Sequence, residues 1–169
     1  IETLRSRRIR RAADACGAHP AAPVRRHMNN CPACLAQRAR NAELAQALRL
    51  PPPICHDGLK ERNFGAIQGI PKLEVGESNP ILLQQILRRN PATVFDGGES
   101  MDEFADRVLG AIMTIGAAHG GERVLVIIHG WVIDVVTRHI EGLPRNAILG
   151  FKRKHGTHLW LEATATTVC

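Results

Sequence analysis

The apolar positions of this chain change period several times, and each change marks an expected element. Over residues 33–48, Leu35, Ala39, Ala42, Ala45 and Leu48 fall near one face of a helix. The run Leu50-Pro51-Pro52-Pro53 ends it, because proline lacks the N–H donor and crowds the preceding turn. A glycine-punctuated loop follows, "CHDGLKERNFGAIQGI". Asn79-Pro80 then predicts a helix start, with Asn79 able to cap and Pro80 suited to the first helical position. Ile81, Leu82 and Ile86 support that helix, bracketed by Leu83 and Leu87, and Asn90-Pro91 closes it. In "GGESMDEFADRVLGAIMTIG", Ser100 and Glu103 have the spacing of a capping box. Met101, Phe104, Ala105, Val108, Leu109 and Ile112 recur behind them as a core stripe.

Val124 to Ile128 is different, an unbroken apolar run leading into His129 and Gly130. Without polar alternation it predicts a strand buried on both faces, as in the middle of a parallel sheet. Beyond Gly130 the spacing turns helical through Val132, Ile133, Val135, Val136 and Ile140. Strand, tight turn and helix would put His129 at the carboxyl end of a strand, where open α/β sheets bind ligands beside helix N-termini. Gly142 and Pro144 end the helix, and "THLWLE" (157–162) predicts a last strand. The alternation argues an α/β domain with a largely parallel sheet.

Composition alters this picture at one end only. At 169 residues, 44% hydrophobic and 22% charged, the chain suits a single soluble domain. No apolar run approaches the ~20 residues that span a bilayer, and no signal-peptide pattern is present. The net charge of +6 is unevenly placed. Residues 1–40 carry nine arginines against Glu2 and Asp14, and the rest is close to neutral. Residues 1–32 are therefore set apart as atypical within the single domain, and 33–169 as its regular part. Five cysteines, an odd number, argue against a disulfide framework and for a reducing cytoplasm.

Three short segments carry the candidate chemistry. "LKERNFG" (59–65) puts Glu61 in a loop, "GGES" (97–100) opens a helix, and "IIHG" (127–130) ends the apolar run. In that order and in those contexts they resemble the histidine phosphatase superfamily, from about residue 33 to at least Gly150. The resemblance implies a phosphoglycerate-mutase-like fold, a three-layer α/β/α arrangement with a mostly parallel sheet. It also implies phosphomonoester chemistry through a phosphohistidine, without metal or organic cofactor. His129 matches the histidine that binds phosphoryl oxygens, and Glu61 the acid that protonates the leaving oxygen. Gly130, Arg62 and Arg38 are the candidate phosphate contacts. Such chemistry asks mainly for positioning and neutralisation of spread-out charge, plus an acid tuned near working pH. Only 37 residues separate Glu61 from Glu99, a modest cap that favours a phosphatase acting on a small phosphorylated metabolite over a bisphosphoglycerate-dependent mutase.

The chain also departs from the family pattern. The Arg-His-Gly motif that carries the attacking histidine is absent; "VRRHMNN" places Met28 after His27 and no strand before it. Gln37 stands where an arginine is expected, with Arg38 one step along the helix. The expected position of the missing motif lies before Ile1, so residues 1–32 read as a divergent segment of a truncated gene or a stretch translated out of frame. A non-catalytic phosphate binder is the alternative function, and a mutase-type phosphotransferase a further one. Two other readings compete. His27, Cys31 and Cys34, with Cys55-His56, offer a loose metal pattern, but a lone Cys-x-x-Cys is weak evidence. "RSRRIRR" would hold nucleic acid only non-specifically, through phosphates, and lacks interleaved aromatic residues.

Overall fold

The computed structural model describes residues 32–150 and 156–169. Five α-helices organise them: α1 (Pro32–Ala47), α2 (Lys72–Ser78), α3 (Pro80–Leu87), α4 (Met101–Ala118) and α5 (Gly130–Ile140). Two 3₁₀ turns, Asp57–Leu59 and Gly65–Ile67, shape the loop between α1 and α2.

The helix starts follow local chemistry. Asn79 Oδ1 accepts from the Leu82 N–H at 3.0 Å and Pro80 begins α3. Ser100 Oγ accepts from the Glu103 N–H at 3.2 Å, while Glu103 Oε2 accepts from the Ser100 N–H at 2.9 Å. That capping box satisfies two of the free N–H groups at the start of α4. The helix α2, in "KLEVGES", follows Pro71 and buries only Val75, so its apolar pattern is too thin to announce it in the sequence.

The core lies between α4 and α5. Phe104 and Val108 from α4 meet Val132, Val135 and Val136 from α5, with Val168 closing one end. Phe104, Val108 and Val132 have no exposed surface, which is where the capping box and the 3.6-residue stripe together place them. Leu159, Leu161 and Ala163 pack against this cluster, while Trp160 points outward.

The strand expectations are corrected here. Among the described residues the β pairing is a single bridge, Ala163 with Val168. Val124 to Ile127 are exposed rather than buried, at 37–56%. The reason is physical: a strand is completed by neighbours that take up its N–H and C=O groups. The described residues place no such neighbour beside 124–128, so among them the apolar run has no strand partner. The segment 157–162 keeps the in-out alternation of a strand without a ladder. The expected helix–sheet–helix layering is likewise not formed by the described residues.

Candidate active site

The candidate site is built on the first turn of α5. His129 is its N-cap residue, with extended backbone (φ −102°, ψ 168°), and its carbonyl accepts from Ile133 N–H at 3.1 Å. Its imidazole makes no capping bond, so the free N–H groups of the turn are left for other partners. One of them is Glu61. Its carboxylate takes hydrogen bonds from the backbone N–H groups of Arg62, at 3.1 Å, and of Trp131, the second residue of α5. Two segments some seventy residues apart are thus joined at one helix end.

Glu61 is held in an unusual state. Burial pushes its carboxyl up from 4.5 to about 7. The Arg62 and Trp131 N–H groups and the Arg89 guanidinium pull it down, and the Asp134 carboxylate pulls it up, but burial wins. His129 moves the other way. Its surface is open to solvent, yet the protein around the ring still disfavours the charged form and lowers its pKa by desolvation. Near neutral pH the site therefore presents a carboxyl able to hold a proton beside an uncharged imidazole.

The loop that carries Glu61 is fixed from below. Arg107 on α4 binds Glu99 through two hydrogen bonds of 2.7 Å and also reaches the carbonyls of Gly58, at 2.9 Å, and Lys60, at 3.1 Å. Glu99 Oε2 in turn accepts from the Asn63 N–H at 2.9 Å. Burial raises the Glu99 carboxyl, but the Arg107 and Asn63 hydrogen bonds and the charges of Arg107 and Arg62 outweigh it, so its pKa falls. Gly65 lets the loop turn: φ is +56°, and a Cβ there would overlap the Asp96 carbonyl oxygen.

Arg62 is 2% exposed. Its guanidinium donates to the carbonyls of Thr93, at 3.0 Å, and Glu99, at 3.0 Å, and lies over the rings of Phe95 and Trp131. Only its Nη1 is left without a protein partner. Gly130 is at the centre of the site, directly after His129. Arg38 lies half-buried on α1 with an interaction of its own, and the described contacts that join Glu61 to α5 do not extend to it. His27 and Cys31 fall outside the described residues. Among those described, no three His, Cys, Asp or Glu side chains gather as a metal site, and Cys55 is exposed.

Three charged residues around the candidate site carry no signal in the sequence. Arg107 sits four residues after Glu103, so spacing alone offers the wrong partner; the capping box takes Glu103 and leaves Arg107 to Glu99. Arg89 and Asp134 form an ion pair of 3.1 Å between the end of α3 and α5, a contact 45 residues apart with no local signature.

Comparison with known proteins fits this geometry. The model of the histidine phosphatase superfamily (branch 1) matches residues 12–167. A metal-independent phosphoserine phosphatase of Arabidopsis thaliana is 38% identical over 79 residues, covering 46% of this chain and 33% of that protein. The uncharacterized phosphatase PhoE of Bacillus subtilis is 26% identical over 108 residues, 64% of this chain and 50% of that one. A 2,3-bisphosphoglycerate-dependent phosphoglycerate mutase of Cytophaga hutchinsonii is 34% identical over 94 residues, 53% of this chain and 43% of that one. The chain thus spans a third to a half of the length of these relatives. The solved structure of Bacillus stearothermophilus YhfR superposes with a TM-score of 0.59 at 23% identity, over 78% of this chain and 60% of that one. At that identity the likeness speaks for the fold, and with the family match it supports the α/β class. No helix among the described residues is long and apolar enough to cross a membrane.

Proposed function

The chain belongs to the histidine phosphatase superfamily, and we propose that its site handles phosphomonoesters of small metabolites in the manner of a phosphatase. The observation that carries this is the pairing at the head of α5: a carboxyl that keeps its proton to about pH 7 beside the N-cap histidine. A phosphoryl group seated on that turn meets the positive end of the helix and the free N–H of Gly130. His129, uncharged at neutral pH, donates a hydrogen bond to a phosphoryl oxygen. Its charged form becomes cheaper once the anion is bound, so negative charge building up on the oxygens draws a proton onto the ring. Arg62, held on the Thr93 and Glu99 carbonyls beneath Trp131, adds its positive charge near Glu61.

Glu61 is the proton donor. Breaking the ester P–O bond leaves an alkoxide, a poor leaving group unless it is protonated as it departs. A carboxyl near pKa 7 is half protonated at neutral pH and is a stronger acid than any alcohol it serves. The attacking atom is the missing part. The superfamily mechanism forms a phosphohistidine, and these 169 residues contain no Arg-His-Gly motif. The chain as it stands is therefore proposed to bind phosphomonoesters well and to hydrolyse them poorly. This favours the non-catalytic binder as second reading; the mutase relative keeps phosphotransfer as a third. The intracellular, reducing setting inferred from the cysteines belongs to the same proposal.

The test is hydrolysis of an aryl phosphate by the 169-residue chain, with Glu61→Gln and His129→Ala as controls. Turnover in the parent chain that either substitution removes supports the phosphatase reading, and turnover at the level of buffer in all three favours the non-catalytic one. Turnover in the parent chain that both substitutions leave untouched would remove Glu61 and His129 from the chemistry.

A further inference from the structure

Arg89 follows α3 with its backbone in the left-handed region, φ 50°, which glycine enters freely and arginine does not. The turn is a left-handed helix ending, in which the Asn90 N–H reaches back to the Gln85 carbonyl at 3.0 Å, and from it the Arg89 side chain makes an ion pair, Nη1 to Asp134 Oδ2, at 3.1 Å. The pair is asymmetric. Asp134 is 4% exposed and Arg89 27%, so the carboxylate is sealed behind the guanidinium and the guanidinium looks outward.

It looks toward the candidate site. A Cβ on Gly130 would stand 2.5 Å from Arg89 Nη2 and 2.8 Å from its Cζ, so the guanidinium rests directly on the Gly130 backbone. A cation is ordinarily unwelcome at the N-terminus of a helix, where the dipole is already positive. Asp134 offsets one charge. The other charged groups nearby give Arg89 no second anion: Glu99 is bound to Arg107 and also offsets Arg62, and Asp134 acts on the charge of Arg138 as well. The Arg89 guanidinium and the helix N-terminus therefore meet at one turn with the Asp134 carboxylate behind them, and an anion seated on that turn faces both.

We propose that Arg89 is a further anion-binding residue of this site, its outward edge donating to a non-bridging oxygen of a phosphoryl group seated on the first turn of α5. The inference rests on the phosphomonoester reading above. It gives Gly130 a specific task, since any side chain there would push the guanidinium away. It gives Asp134 one as well: by binding Nη1 from behind, it fixes the plane in which the remaining donors lie, as a bidentate contact requires.

The experiment is calorimetric titration of inorganic phosphate into the whole 169-residue chain, as parent, Arg89→Gln, Arg89→Lys and His129→Ala, with thermal melts of each. Arg89→Gln is expected to weaken phosphate binding about tenfold or more, as loss of a charge-assisted hydrogen bond implies. Arg89→Lys, which keeps the charge and a partner for Asp134 but not the planar edge, is expected about threefold or more weaker than the parent. Parent-like affinity in either folded variant overturns the proposal. If His129→Ala loses binding while both Arg89 variants keep it, the phosphomonoester site stands and Arg89 is no part of it. If the parent binds no phosphate at millimolar concentration, the site reading fails and this inference with it.

Discussion

Replacing Glu61 with glutamine should make the protein more stable above neutral pH, and the size of the effect follows from the state of the carboxyl. Below pH 4.5 the folded and unfolded chains both carry the proton, and Glu61 contributes no pH dependence. As pH rises past 4.5 the unfolded chain releases its proton while the folded chain keeps it until about pH 7. The unfolded state then binds fewer protons, so stability falls with rising pH across that window and levels off above it. A gap from 4.5 to about 7 corresponds to about 3 kcal/mol once the window is passed. Glutamine removes the titration and keeps an oxygen to accept from the Arg62 and Trp131 N–H groups. Urea unfolding at pH 5 and pH 8.5 should therefore show Glu61→Gln near the parent at the lower pH and up to about 3 kcal/mol more stable at the higher. Equal stability of the two proteins at pH 8.5 would refute the claim that burial raises this carboxyl. The destabilisation is the cost of burying a carboxyl that must ionise above neutral pH.

Three further outcomes follow from the supports of the site. Arg107→Met removes the bidentate bond to Glu99 and the contacts to the Gly58 and Lys60 carbonyls; unfolding should be easier by about 2–3 kcal/mol, read from denaturant midpoints. Gly65→Ala places a methyl on the Asp96 carbonyl at a positive φ, and a loss of more than about 2 kcal/mol is expected, with amide exchange rising first in residues 61–68. Ser100→Ala opens the capping box of α4 and should cost about 1 kcal/mol without altering the Glu61 titration, which carbon-13 NMR of the carboxyl can follow.

The sequence showed best what depends on neighbours along the chain. The capping box at Ser100 and Glu103, the Asn79-Pro80 helix start and the stripe from Met101 to Ile112 are each decided within about a dozen residues, and each is present in the structure. Glu61 and His129 stand out as candidates because they sit in short recognisable segments, and the structure brings the Glu61 carboxylate to the Trp131 N–H, two residues after His129. Val124–Ile128 is not paired as a strand among the described residues for the converse reason. Its pattern states that it is apolar on both sides, but a strand needs neighbours, and no pattern within five residues can supply them. Arg89 and Arg107 were hidden because their partners are chosen in three dimensions: one lies on a glycine forty-one residues later, the other is freed for Glu99 only because a serine has already claimed Glu103.

The central claim, that the first turn of α5 with Glu61 and His129 is a phosphate site, is tested most directly by nitrogen-15 NMR of the chain during addition of inorganic phosphate. The amide signals of Gly130 and Trp131 should move most, together with the His129 ring, whose pKa should rise as the anion binds. Shifts confined to the arginine-rich residues 1–40, with Gly130, Trp131 and His129 unmoved, would contradict it.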